Sequence, residues 1–124
     1  MSAVQDLMII VAALGFVAMG AAALVAPNRV TEQFDIPPLS AAGRNEIRAV
    51  YGGFGLAMAA MLGVAVWSSD LRTGICLTIA AALGGMAVGR LISAVTDRTF
   101  APRPLLYFVI EAVLTGLILV GGAV

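Results

Sequence analysis

Two ionisable residues stand inside apolar runs of this chain, Arg90 and Glu111. A charge in hydrocarbon is costly, so it faces a partner or a polar cavity and is a candidate for function. Arg90 lies between the uncharged stretches Thr73–Gly89 and Leu91–Thr96, and Glu111 interrupts Leu105–Val124. With helices ending near Thr96 and starting at Pro104, the two residues lie about 9 and 10 Å from the same side. Their similar depth makes an ion pair geometrically reasonable. Either charge alone would be strongly unfavourable.

Other polar residues share helical faces with this pair. Arg90, Ser93 and Asp97 form one stripe. Tyr107, Glu111 and Thr115 form a second, and Asn45, Arg48, Gly52 and Gly55 a third. Gly52 and Gly53 beside Tyr51 leave room for a ligand or a close backbone approach. The candidate cluster is therefore Asn45, Arg48, Tyr51, Gly52, Arg90, Ser93, Asp97, Tyr107 and Glu111. It has two compatible uses. A salt-bridge network could lock three helices together. A pocket of Arg48, Arg90, Glu111 and Asp97 could hold an anionic or polar head group between apolar walls.

The residue inventory narrows the chemistry. There is no His, which removes His-ligated haem, His-based zinc sites and His acid–base catalysis. The one cysteine, Cys76, cannot build an internal disulfide or a multi-Cys metal site. Ser93 has neither His nor Lys to activate it. No catalytic residue, metal or cofactor is assigned. A net charge of zero, with seven Arg, no Lys and seven acids, offers no basic stripe for nucleic acid.

The elements that position the cluster are set by hydropathy. Of the 124 residues, 61% are hydrophobic and 11% charged, and the mean hydropathy is +1.05. A soluble domain carries about 25% charged residues. Spans of about 20 apolar residues cross a bilayer as helices. The sequence predicts an all-α, antiparallel up-down, transmembrane four-helix bundle. It forms a single domain over 1–124, with helices at about 5–26, 40–69, 72–96 and 104–123. Met1–Asp6 carries an acid and no basic residue, so the first span reads as a retained helix rather than a signal peptide. Arg29, Arg44, Arg48, Arg98 and Arg103, with Arg90 near them, oppose Arg72 alone. The positive-inside rule then puts both Arg-rich loops in the cytoplasm and both termini in the periplasm.

Local signals fill in the connections. Pro27 closes the first helix, and Asn28–Phe34 reads as an interfacial turn with Val30 and Phe34 on one side. Pro37 and Pro38 stop any helix, and Ser40 is an N-cap for the second. Arg44, Arg98 and Arg103 are expected to anchor anionic lipid heads, and Arg29, Glu32 and Asp35 to form a solvated loop. Gly55, Ala59 and Gly63, and Ala81, Gly85 and Gly89, recur at spacing four, as close packing in lipid requires. These stripes are expected to pack the bundle internally, with an oligomer through the same Gly/Ala faces as the alternative.

The stretch Asn45-Glu46-Ile47-Arg48-Ala49-Val50-Tyr51-Gly52-Gly53 and the set Gly89-Arg90-Leu91-Ile92-Ser93, Asp97, Pro102 and Glu111 carry a resemblance. Together they resemble a family of small bacterial four-helix membrane proteins catalogued as a domain of unknown function, itself distantly similar to the DoxX-like group. The resemblance covers about residues 5 to 122. Arg48, Arg90, Ser93, Asp97 and Glu111 match its pattern, while Arg98 stands where it would place Gly. It implies a fold and a multi-pass place in the bacterial inner membrane, and no activity.

The reading is an integral membrane protein of unknown activity. It acts as a non-catalytic accessory subunit or as a lipid- or amphiphile-binding module. Its expected partners are membrane lipids, a hydrophobic small molecule or a larger membrane complex. A small proton-coupled transporter is the alternative. There a deep Glu resembles that of small multidrug-resistance transporters, but theirs lies in the first helix and Arg90 would repel a cationic substrate. A membrane enzyme with Glu111 or Asp97 as acid–base group on a lipid-like substrate is the third reading.

Overall fold

A computed structural model describes residues 2–123. Four helices are long and apolar enough to cross a membrane, Ala3–Val25, Ala41–Trp67, Ser69–Asp97 and Pro102–Gly122. No strand occurs among the described residues. The protein is a transmembrane four-helix bundle.

The first span, α1 (Ala3–Val25), starts at a reciprocal cap. Gln5 N donates to Ser2 Oγ at 3.2 Å, and Ser2 N donates to Gln5 Oε1 at 3.1 Å. Two of the N–H groups that a helix start leaves without intrahelical partners are thereby satisfied. Pro27 at the first position of α2 (Pro27–Glu32) ends α1 and opens the next helix. The expected interfacial turn is thus helical, with Val30 and Thr31 buried. Arg29, Glu32 and Asp35 are exposed, in keeping with a solvated loop. Asp35 adopts a left-handed φ of 60°, and Leu39 N donates to Asn28 Oδ1 at 2.8 Å to close the loop.

Ser40 caps α3 (Ala41–Ile47) by accepting from Gly43 N at 3.1 Å. The second span then winds as a π-helix over Arg48–Gly53 before α4 (Phe54–Trp67) resumes the ordinary pitch. The carbonyls freed at the end of α4 are taken by an arginine: Arg72 Nε donates to Ala65 O at 2.9 Å and its Nη2 to Val66 O at 3.1 Å. A cation at a helix C-terminus also suits the dipole. The third span, α5 (Ser69–Asp97), ends with Arg98 in a left-handed conformation at φ 54°, and the fourth begins with α6 (Pro102–Ile118). Arg98 therefore adopts the backbone conformation for which a glycine is the usual residue.

Packing divides the bundle along its length. The apolar core of Ile9, Leu62, Cys76, Ile79, Leu83 and Ile118 fills the half nearest the α4–α5 turn. Toward the other end, α1 and the second span meet backbone to backbone. A Cβ on Gly20 would sit 2.9 Å from the Gly52 carbonyl oxygen, and one on Gly55 3.2 Å from Gly20 Cα. The expected small-residue stripes are corrected here. Gly55 and Ala59 are buried, but added Cβ atoms at Gly63, Gly85 and Gly89 meet nothing within 4 Å. Spacing four marks a helix face without saying which neighbour covers it.

Gly20→Ala is expected to lower stability by about 1–3 kcal/mol, because the clash is with backbone that cannot move aside. Gly85→Ala should stay within about 0.5 kcal/mol of wild type. Thermal unfolding in mild detergent separates the two outcomes.

Candidate functional site

Arg90 projects from α5, and its planar head meets Glu111 of α6 in a two-point contact. Nε donates to Oε1 at 2.7 Å and Nη2 donates to Oε2 at 3.0 Å. The side chains are 23% and 6% exposed, so the carboxylate is the buried partner. Fork-to-fork geometry gives the strongest kind of ion pair and fixes both side chains. It is the one salt bridge among the described residues.

Two aromatic rings hold the guanidinium. Arg90 Cζ lies 5.7 Å from the Phe34 ring centre and 5.6 Å from that of Tyr107. The rings themselves are 5.3 Å apart and tilted by 50°. Tyr107 is one turn before Glu111 on α6, so ring and carboxylate reach the same guanidinium. The Tyr107 hydroxyl donates to Gln33 Oε1 at 2.8 Å, which ties the α2–α3 loop to α6. One turn deeper, the Thr115 hydroxyl donates to the Glu111 carbonyl at 2.7 Å. Cation–π contacts contribute about 0.5–2 kcal/mol each as water is excluded.

Arg90 also lines a groove of about 470 Å³. Ser93, Ala94 and Asp97 continue it along α5. Tyr51 flanks it from the second span, and Thr99, Phe100 and Pro104 come from the start of the fourth. Met86 and Gly89 form its deeper, apolar end. Arg90 Nη1 and the side chains of Ser93, Asp97, Thr99 and Tyr51 make no hydrogen bond among the described residues. These groups can therefore serve a ligand.

The candidate residues thus separate into two places. Arg90, Glu111 and Tyr107 form the ion-pair cluster, and Arg90, Ser93, Asp97 and Tyr51 share the groove. Arg48 lies elsewhere: its Nε donates to Leu24 O at 3.0 Å, capping the end of α1. Gly52 packs under Leu24, and Asn45 is exposed on the short α3. The expected pocket joining Arg48 to Arg90 is not formed. Arg48, Gly52 and Gly55 do share one face, as the helical period predicts, but that face is turned to Leu24 and Gly20 of α1 rather than to α5. Among the expected lipid anchors, Arg44 Nη1 donates to Leu39 O at 2.8 Å. Gln33 and Phe34 were absent from the candidate set. Val30 and Phe34 do share an apolar spacing, but that signal points to a membrane surface rather than to a ring on Arg90.

A family model catalogued as a domain of unknown function, DUF4345, matches residues 4–121. The fold and site are those of a multi-pass integral membrane protein, and the chain belongs to the DUF4345 family. No curated protein and no solved structure matches it.

Removing one member of the ion pair should destabilise the bundle by about 3–5 kcal/mol, since the other charge is left buried and alone. Arg90→Ala and Glu111→Ala, unfolded in mild detergent beside wild type, are the check. Phe34→Ala should cost less, about 1–3 kcal/mol, and Glu32→Ala close to nothing.

Proposed function

We propose that this protein is a non-catalytic binding module that holds a lipid or another amphiphile at the Arg-rich end of its bundle. The observation that carries the reading is the two-sided environment of Arg90. One edge of its guanidinium is fixed by Glu111 and two rings, one of its donors is left unused, and the residue lines a groove that runs from apolar Met86 and Gly89 to polar Asp97. An amphiphile has the same order of polarity along its length. A pre-fixed donor also binds with little loss of side-chain freedom.

The charge balance of the groove argues for a head group that is not simply anionic. Arg90 is already matched by Glu111, Arg48 is turned to α1, and Asp97 adds a negative charge. The transporter reading gains little from this arrangement, because both Glu111 oxygens are engaged by Arg90. Six of the seven arginines stand toward the end of the bundle that holds the groove, with Arg72 at the other. This supports a groove in the cytoplasmic leaflet of a bacterial inner membrane, with both termini outside. An accessory role within a larger membrane complex is compatible with the same site.

Filling the groove without touching the ion pair tests the reading. Gly89 lines the groove and an added Cβ there meets nothing within 4 Å, so Gly89→Phe has room to enter it. Native mass spectrometry in mild detergent should show a bound amphiphile on wild type and its loss in Gly89→Phe, with helical circular dichroism unchanged. Equal retention by both, or retention by neither, contradicts the proposal.

A further inference from the structure

We propose that the occupant of the groove is a zwitterionic phospholipid with a primary amine, its phosphate at Arg90 and its ammonium at Asp97. This rests on the binding reading above and names the head group. Arg90 and Asp97 are seven residues apart on α5, about 10 Å along the axis and on one face. Both line the same groove, with Ser93 between them. Arg90 offers a donor that Glu111 leaves unused, and Ser93 adds a hydroxyl, the set that a phosphodiester accepts from. Asp97 has no cation within 4 Å among the described residues, and Thr99 stands beside it in the groove. Carboxylate and hydroxyl oxygens accept the N–H groups of a primary ammonium.

The order of these groups matches the order within the lipid. Met86 and Gly89, deepest in the span, lie where acyl chains begin. Arg90 and Ser93 follow at the phosphate, and Asp97 and Thr99 lie at the helix end where the amine meets water. A lipid in its own leaflet, with its tails toward the midplane, enters the groove in this orientation. An anionic glycerol head group ends in hydroxyls, which can hydrogen-bond to Asp97 but bring no positive charge to it.

The test compares phosphatidylethanolamine and phosphatidylglycerol with identical acyl chains, added to the detergent-purified full chain and followed by native mass spectrometry. Asp97 is exposed, so Asp97→Asn leaves the core untouched. Wild type should retain the ethanolamine lipid about fivefold better, the upper range for an exposed ion pair. Asp97→Asn should erase that preference while still binding both. Equal or better retention of phosphatidylglycerol by wild type overturns the head-group assignment and leaves the binding reading standing. An ethanolamine preference that survives Asp97→Asn also overturns the assignment. Retention of neither lipid overturns both.

Discussion

The two-point contact between Arg90 and Glu111 is the constraint around which the rest of the bundle is arranged. An unpaired guanidinium this far from a helix end would be expelled from hydrocarbon or would drag its helix with it. Pairing lets α5 carry a fixed cation, and the pair in turn sets how α5 and α6 face each other. Phe34 and Tyr107 close over the cation, and Gln33 holds Tyr107, so a loop outside the spans is fastened to the same point. Ion pair, rings and loop thus form one connected unit rather than separate contacts.

The remaining half of the molecule does different work. Ile9, Leu62, Cys76 and Ile118 are fully buried and carry no charge, so the core of that half is held by apolar packing. Gly20, Gly52 and Gly55 let α1 and the second span touch at backbone distance, which in lipid replaces the hydrophobic drive available in water. With α1 closing one flank by close packing, the polar residues of α5 are left to line a groove beside Tyr51. The division explains how one small bundle can be rigid at one end and hold a polar-to-apolar groove at the other.

Much of this is legible in the sequence, for reasons that can be traced to particular residues. Uncharged runs of span length require helices, because only helices and closed barrels satisfy the backbone in lipid and barrel strands would alternate polar and apolar residues. Arg90 and Glu111 stand out since hydropathy makes any charge there conspicuous, and Ser40 shows itself by its position before an apolar helix. Three features stay hidden. The helical period puts Arg48 on one face with Gly52 and Gly55 but does not say that α1 covers that face, so Arg48 meets Leu24 instead of Arg90. Gln33 and Phe34 reach the site through a loop whose path depends on tertiary contact. The glycine stripes show spacing but not neighbours, so Gly85 and Gly89 looked like packing residues although nothing lies against them.

The central claim is that one half-buried cation serves both the fold and the groove, and replacing the whole pair by apolar residues separates these roles. The measurement is thermal unfolding and lipid retention of the Arg90→Met/Glu111→Met double variant in mild detergent. Buried ion pairs exchanged together for well-packed apolar side chains leave stability unchanged or raise it by about 1–4 kcal/mol. The account predicts a bundle that still folds but no longer retains a phospholipid. A folded double variant that retains phospholipid as wild type does would contradict it.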